Sequence, residues 1–148
     1  MHVGFDDGPI RRHLAALALL HASGFDRARR EIGEFMVGEV HDNLHRQKLV
    51  DGSPMPKSKA AIKRDGKTLI DKGHLRDSYV YQLTAAGVEV GSAKVYAAIH
   101  HFGGDRAIVS KHGPVRPLPP RPVLGLNADG EREVGDILLG ELRRAQRI

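Results

Sequence analysis

Cysteine and tryptophan are both missing from this 148-residue chain, and the other aromatics amount to three Tyr and four Phe. Without cysteine there is no disulfide, no thiolate metal site and no thiol nucleophile, so stability has to come from packing or from subunit contacts. With so few aromatics, a platform on which successive bases stack, as in RRM or OB readers, is poorly supplied. No apolar run approaches the roughly 18–20 residues that cross a bilayer. The acidic pair Asp6 and Asp7 precedes the best apolar run, at 14–20, the reverse of a signal peptide's positive start. These absences predict a soluble, unexported protein with no membrane partner, built as one domain over 1–148.

Positive charge is present in excess, at a formal +5, and it is unevenly placed. Residues 50–68 hold five Lys and Arg against two Asp, and residues 105–126 hold four against one, while the rest of the chain is close to balanced. Both basic stretches are rich in Gly and Pro and read as loops, where clustered cations can meet nucleic acid or an acidic protein surface or simply be solvated. No base-reading motif accompanies them.

Apolar periodicity places the helices. Ile10, Leu14, Leu17, Ala18 and His21 predict a short helix over 10–21, an N-terminal extension within 1–23. After Ser23 and Gly24, the positions Phe25, Ala28, Ile32, Phe35, Met36, Val40 and Leu44 predict the longest helix, running to about residue 47, with Arg30 and Glu34 four apart on its outer face. Residues 50–68 lack a sustained period and predict a long loop. Tyr79, Tyr81, Leu83 and Ala85 alternate as a strand, and Val88 and Val90 as a second, joined by a two-residue turn at Ala86 and Gly87 in which glycine takes positive φ. Residues 94–102 predict a short helix stopped by Gly103 and Gly104. Five prolines make 105–126 an extended arm. Val134, Ile137, Leu138, Leu142 and Ala145 then predict a final amphipathic helix, capped by Asn127 or Asp129, acidic at its start and basic at its end. The order predicts an α+β fold: long amphipathic helices packed on a small antiparallel sheet, with a basic loop and a Pro-rich arm.

Nine histidines raise the question of chemistry. His41 and His45 stand at i and i+4, the spacing of a zincin helix, but Asp42 replaces the catalytic Glu and no third ligand is evident. Both therefore read as solvent-facing. His100 and His101 beside two glycines lack a recognisable Ser or Cys nucleophile, and His100 reads as structural. Neither Walker nor dinucleotide spacing surrounds Gly103. Nothing in the residues calls for a catalytic centre, a metal or a cofactor.

Three stretches then act together. Leu69, Gly73, Leu75 and Ser78 fit the pattern L-x-x-x-G-x-L-x-x-S; Tyr96, Ala97, His100, Phe102, Gly103 and Gly104 fit Y-A-x-x-H-x-F-G-G; and residues 118–125, with Pro119, Arg121, Pro122 and Gly125, are similar to I-P-A-R-P-F-L-G ahead of a final helix. In this order and spacing, the chain resembles the phage virion morphogenesis family, the tail-completion proteins of P2-like and Mu-like phages, over about residues 25–146. It departs from the family in lacking a tryptophan within 50–68 and in carrying Val123 where an aromatic is usual.

The resemblance implies a non-enzymatic structural protein of a tailed phage or prophage. It would act at the neck or tail end when head and tail join, assembled in the bacterial cytoplasm and often working as a sixfold ring whose lumen passes DNA. The expected partners are further copies of the chain and the phage's neck, head-connector or tail proteins. Interface candidates are Lys57, Lys59, Lys63 and Arg64 in the basic loop, and Arg116, Arg121 and Pro122 in the arm. Arg121 reads equally as an intrachain tie that closes the arm onto the fold. Tyr96, His100 and Phe102 are expected to pack the short helix internally. The alternative reading of the same charge is a nucleic-acid-binding accessory protein.

Overall fold

The computed structural model describes residues 8–104 and 117–147. Along the chain come α1 (Gly8–Ala22), α2 (Asp26–Arg46), α3 (Lys59–Lys63), a 3-10 turn (Arg76–Ser78), β1 (Tyr79–Leu83), β2 (Val88–Ser92), α4 (Ala97–Phe102) and α5 (Ala128–Gln146). The class is α+β, helices against one two-stranded antiparallel sheet. Among the described residues no helix is long and apolar enough to cross a membrane.

The long helix α2 organises everything else. Its first half buries Ala28 and Ile32 against Ile137 of α5. Its second half buries Val40 and Leu44 with Met55, Leu75, Tyr79, Ala97 and Val123. Full burial of a Val or Leu is worth about 1.5–3 kcal/mol, so the second cluster, which holds the most deeply buried side chains, is the main core. The sheet lies against α2 because Gly33 has no side chain: a Cβ there would stand 2.4 Å from the Tyr81 ring. The outer-face pairing expected between Arg30 and Glu34 is not formed; Glu34 instead accepts a long hydrogen bond from the Tyr81 hydroxyl at 3.4 Å.

The hairpin pairs Tyr79 with Ser92 and Leu83 with Val88. Its connection is four residues, 84–87, not the expected two. Thr84 closes it, its N–H donating to the Gly87 carbonyl at 2.9 Å and its hydroxyl accepting from the Gly87 N–H at 3.0 Å. Gly87 does not take the left-handed φ expected of it. The Thr side chain supplies turn chemistry that replaces the glycine conformation.

Helix α1 packs on α5, with Ala16 and Leu20 against Ala145. The face expected to be buried is not the one that is. Ile10 and Leu14 stay exposed, and Ala16 and Leu20 go inside, because the apolar stripe on α1 is wider than the surface that α5 offers it.

Two stretches read as loop and arm are in fact folded. Within 50–68, Met55 and Ala61 are buried and five residues form α3, with the Ser58 hydroxyl capping it by accepting the Ala61 N–H. At the far end of the arm, Val123 is core, and the Val50 N–H donates to the Pro122 carbonyl at 3.0 Å. Proline forbids helix there but leaves each carbonyl free to accept, which is how the segment is held. Residues 105–116 of the arm, including Arg116, lie outside the described residues.

Candidate functional site: a basic cleft around Arg121

The anchor of the site is Gln47, which ends α2 in a left-handed conformation, φ 55°, ψ 47°. Its side-chain amide donates to the carbonyls of Leu44 and Thr68, and its Oε1 accepts the Thr68 N–H at 2.6 Å. Thr68, fully buried, passes the link on: its hydroxyl accepts the Ser58 N–H at 3.0 Å. The basic segment 57–64 is therefore fixed to the end of α2 by a short polar chain. Buried polar groups are costly unless paired, and this chain satisfies them in series.

From the other side, the Pro-rich segment is fixed to α4. Gly103 takes φ 70°, ψ −172°, a conformation open to glycine alone, and a Cβ on it would stand 2.7 Å from the Leu118 carbonyl oxygen and 2.8 Å from the Pro120 nitrogen. That close approach lets Gly104 and Leu118 exchange backbone hydrogen bonds of 3.1 and 2.9 Å. Three residues after Leu118, the Arg121 N–H donates to the His100 carbonyl at 2.8 Å, and the Arg121 Nε donates to the Pro56 carbonyl at 2.8 Å. Arg121 thus ties arm, α4 and basic loop together. Its intrachain role is real, but the partner is a carbonyl and not the carboxylate of a salt bridge.

The third wall follows Gly73, whose φ of 82° turns the chain, with the Asp77 N–H bonded to its carbonyl at 2.9 Å. Leu75 enters the core, and the Ser78 hydroxyl donates to the Leu75 carbonyl and meets the Ser92 hydroxyl at 2.6 Å, locking the start of β1 to the end of β2. Most of the motif positions thus have a backbone reason.

Between these walls lies an open cleft of about 1000 Å³. Lys57, Lys59 and Arg64 line it from the basic loop, Lys72 and His74 from the turn after Leu69, His100 from α4 and Tyr96 from just before it, and Leu118, Pro119 and Arg121 from the arm. Five Lys and Arg face it against one carboxylate, Asp71, which stands 3.9 Å from Arg64. Arg121 is only 4% exposed, and among the described residues no carboxylate pairs with it. Burial lowers the basicity of its guanidinium. Burial, helped by the Arg121 charge, also holds His100 below the usual histidine range. The His100 Nδ1 is buried, with no hydrogen-bond partner among the described residues. The site is suited to receiving negative charge.

The sequence candidates are distributed around this cleft unevenly. Lys57, Lys59, Arg64, Arg121, Tyr96, His100 and Pro119 come together there; Lys63 sits exposed on α3 and Pro122 beside Val50, away from the lining. Ala97 is core, but Phe102 is 76% exposed, its ring edge-on to His101 at 4.6 Å. The expected internal packing of Phe102 is corrected: on a six-residue helix whose inward position is taken by Ala97, its side chain points out. Tyr96, 38% exposed, meets the His100 ring edge-on at 6.1 Å. His41 and His45 diverge to separate partners, the Arg76 carbonyl and Lys67, and His41 is half-buried, not solvent-facing as expected. Sequence reasoning missed Gln47 and Thr68. A polar residue just past a helix, opposite a lone Thr in a polar loop, carries no periodic signal.

Comparison with known proteins adds the following. A family model described as the phage virion morphogenesis family matches residues 5–143. A protein of Escherichia phage Mu, named putative capsid assembly protein G, is 38% identical over 58 residues, which cover 39% of this chain and 35% of that protein. The matched part thus spans about a third of the length of this curated relative. No solved structure matches the chain.

Proposed function

The chain belongs to the phage virion morphogenesis family, and on that premise we propose that it is a non-enzymatic structural subunit that completes the neck or tail end of a tailed-phage particle, joining head and tail as a closed ring. The observation that carries this reading is the pair of exposed apolar patches on separate parts of the fold. One is on α1, where Ile10 and Leu14, one turn apart on the same face, are 51 and 59% exposed. The other flanks α4, with Val95 at 94% and Phe102 at 76%. α1 belongs to the cluster with Ala145, whereas α4 reaches the main core through Ala97. A head-to-tail ring needs two different surfaces per subunit, one for each neighbour. Scattered exposed hydrophobics are ordinary, but grouped ones mark contact sites.

Sedimentation velocity with light scattering over a concentration series, with and without short duplex DNA at two salt levels, tests the reading. A discrete closed species independent of DNA is expected, sixfold if the subunit follows the family habit. Leu14→Asp and Phe102→Asp should each abolish it while leaving the circular dichroism unchanged. A monomer that shifts only with DNA, and loses the shift at high salt, would replace the ring by a nucleic-acid accessory role, as steep salt dependence marks phosphate binding.

A further inference from the structure

The cleft around Arg121 holds more positive charge than the chain neutralises, and an opposite surplus stands on α5. Asp129, Glu133 and Asp136 recur at i, i+4 and i+7, which places them on one stripe of the helix, and Leu139 continues that stripe. All four are exposed. Asp129 is partly neutralised by Arg132 at 2.9 Å, but Glu133 and Asp136 have no ion-pair partner among the described residues. Nor does any ion pair join this stripe to the cleft within one chain. Charge that cannot be matched inside a subunit can be matched between subunits.

We propose that the cleft is the acceptor half of the subunit contact, and that it receives the acidic stripe of α5 from a second copy of this chain, with Glu133 and Asp136 meeting Lys57, Lys72 and Arg121. This rests on the reading of the protein as a self-associating ring subunit and specifies which surfaces meet. The recess selects the occupant. Arg121 lines it almost wholly buried, at 4% exposure, which suits a carboxylate on a projecting side chain better than the phosphates of a duplex, set on a convex backbone. Its guanidinium retains nitrogens beyond Nε for a planar acceptor. The walls are mixed, with Leu69 and Leu118 among the cations, so that Leu139 beside the acids finds an apolar surface. The contact is heterologous, cleft on one side and helix on the other, which is the kind that closes rings.

The test uses the full chain and charge reversal at exposed positions, since Arg121 itself holds the fold together. The α5 variant Glu133→Lys with Asp136→Lys and the cleft variant Lys57→Glu with Lys72→Glu are each expected to weaken self-association at least tenfold, by sedimentation velocity, with unchanged circular dichroism. An equimolar mixture of the two should recover assembly, because each reversed surface then meets its complement. Assembly of the wild type should also weaken as salt rises from about 0.05 M to about 0.5 M, where screening shortens to a few ångströms. If the wild type assembles and both variants assemble equally well, the proposed pairing is wrong while the ring reading stands. Should the wild type and the mixture both stay monomeric throughout, the pairing and the self-assembling ring fall together. Loss of duplex DNA binding in the cleft variant with self-association intact would make the cleft a nucleic-acid site and overturn the proposal.

Discussion

Gly103 occupies a position where any side chain meets backbone. Its φ and ψ are open to glycine alone, and a Cβ would approach a carbonyl oxygen to 2.7 Å. Gly103→Ala is therefore expected to cost at least about 2 kcal/mol, measured by urea unfolding, through combined backbone strain and displacement of the arm. At the same scale, His100 makes stability pH-dependent. Its folded pKa lies below the ordinary 6.5 because burial and Arg121 disfavour the cation. The unfolded chain therefore takes up the proton first, so stability present above about pH 6.5 is lost as pH falls through the folded value. Thermal melts between pH 7.5 and pH 5 should show that decline, and His100→Gln should reduce it, leaving the part owed to His101, which burial shifts the same way.

Among the elements, the helices were the most legible and the connections the least. The spacing from Ala28 to Leu44 declared α2, and Asn127 declared the start of α5, where its Oδ1 accepts the Gly130 N–H at 2.9 Å. Asn127→Ala should cost about 1 kcal/mol as a lost cap, plus the bond its Nδ2 gives to the Val50 carbonyl. What periodicity left unread was held by single polar contacts across long sequence distances. Thr68, bonded to Gln47, and Ser58, bonded in turn to Thr68, make a Gly- and Pro-rich stretch into a fixed wall, and composition has no term for that. Thr68→Val is expected to cost about 1 kcal/mol by removing a buried acceptor. It should also speed amide exchange across 57–64 without affecting the hairpin. For the candidate site, the motif residues were visible in sequence, but their meaning was divided: Gly73, Ser78 and Gly103 shape the backbone, Leu75 and Ala97 fill the core, and Arg121, read equally as an interface residue and as an intrachain tie, is a buried post. Lys72 and His74 carried no signal, because only the folded turn after Leu69 brings them to the cleft.

At the scale of the whole molecule, the three clusters draw on distant parts of the chain. Ala16 and Leu20 have their partner at Ala145, and Val40 and Leu44 have theirs at Val123. Stability should accordingly be cooperative, with α1 and the hairpin losing structure in a single transition by circular dichroism and amide exchange. Leu14→Asp, on the outer side of α1, should leave that transition within about 0.5 kcal/mol of the wild type, as exposed substitutions do. A further consequence concerns order in time. While the ribosome is still making the chain, α1 emerges with its apolar face bare until α5 has appeared, and α2 is covered only in part, by Met55, Leu75, Tyr79 and Ala97, until Val123 and Ile137 follow. Completion of the fold must wait for nearly complete synthesis, and contacts this distant in sequence close slowly. A chain released early would present naked helices to the cell's proteases, so that only finished subunits reach the assembling particle.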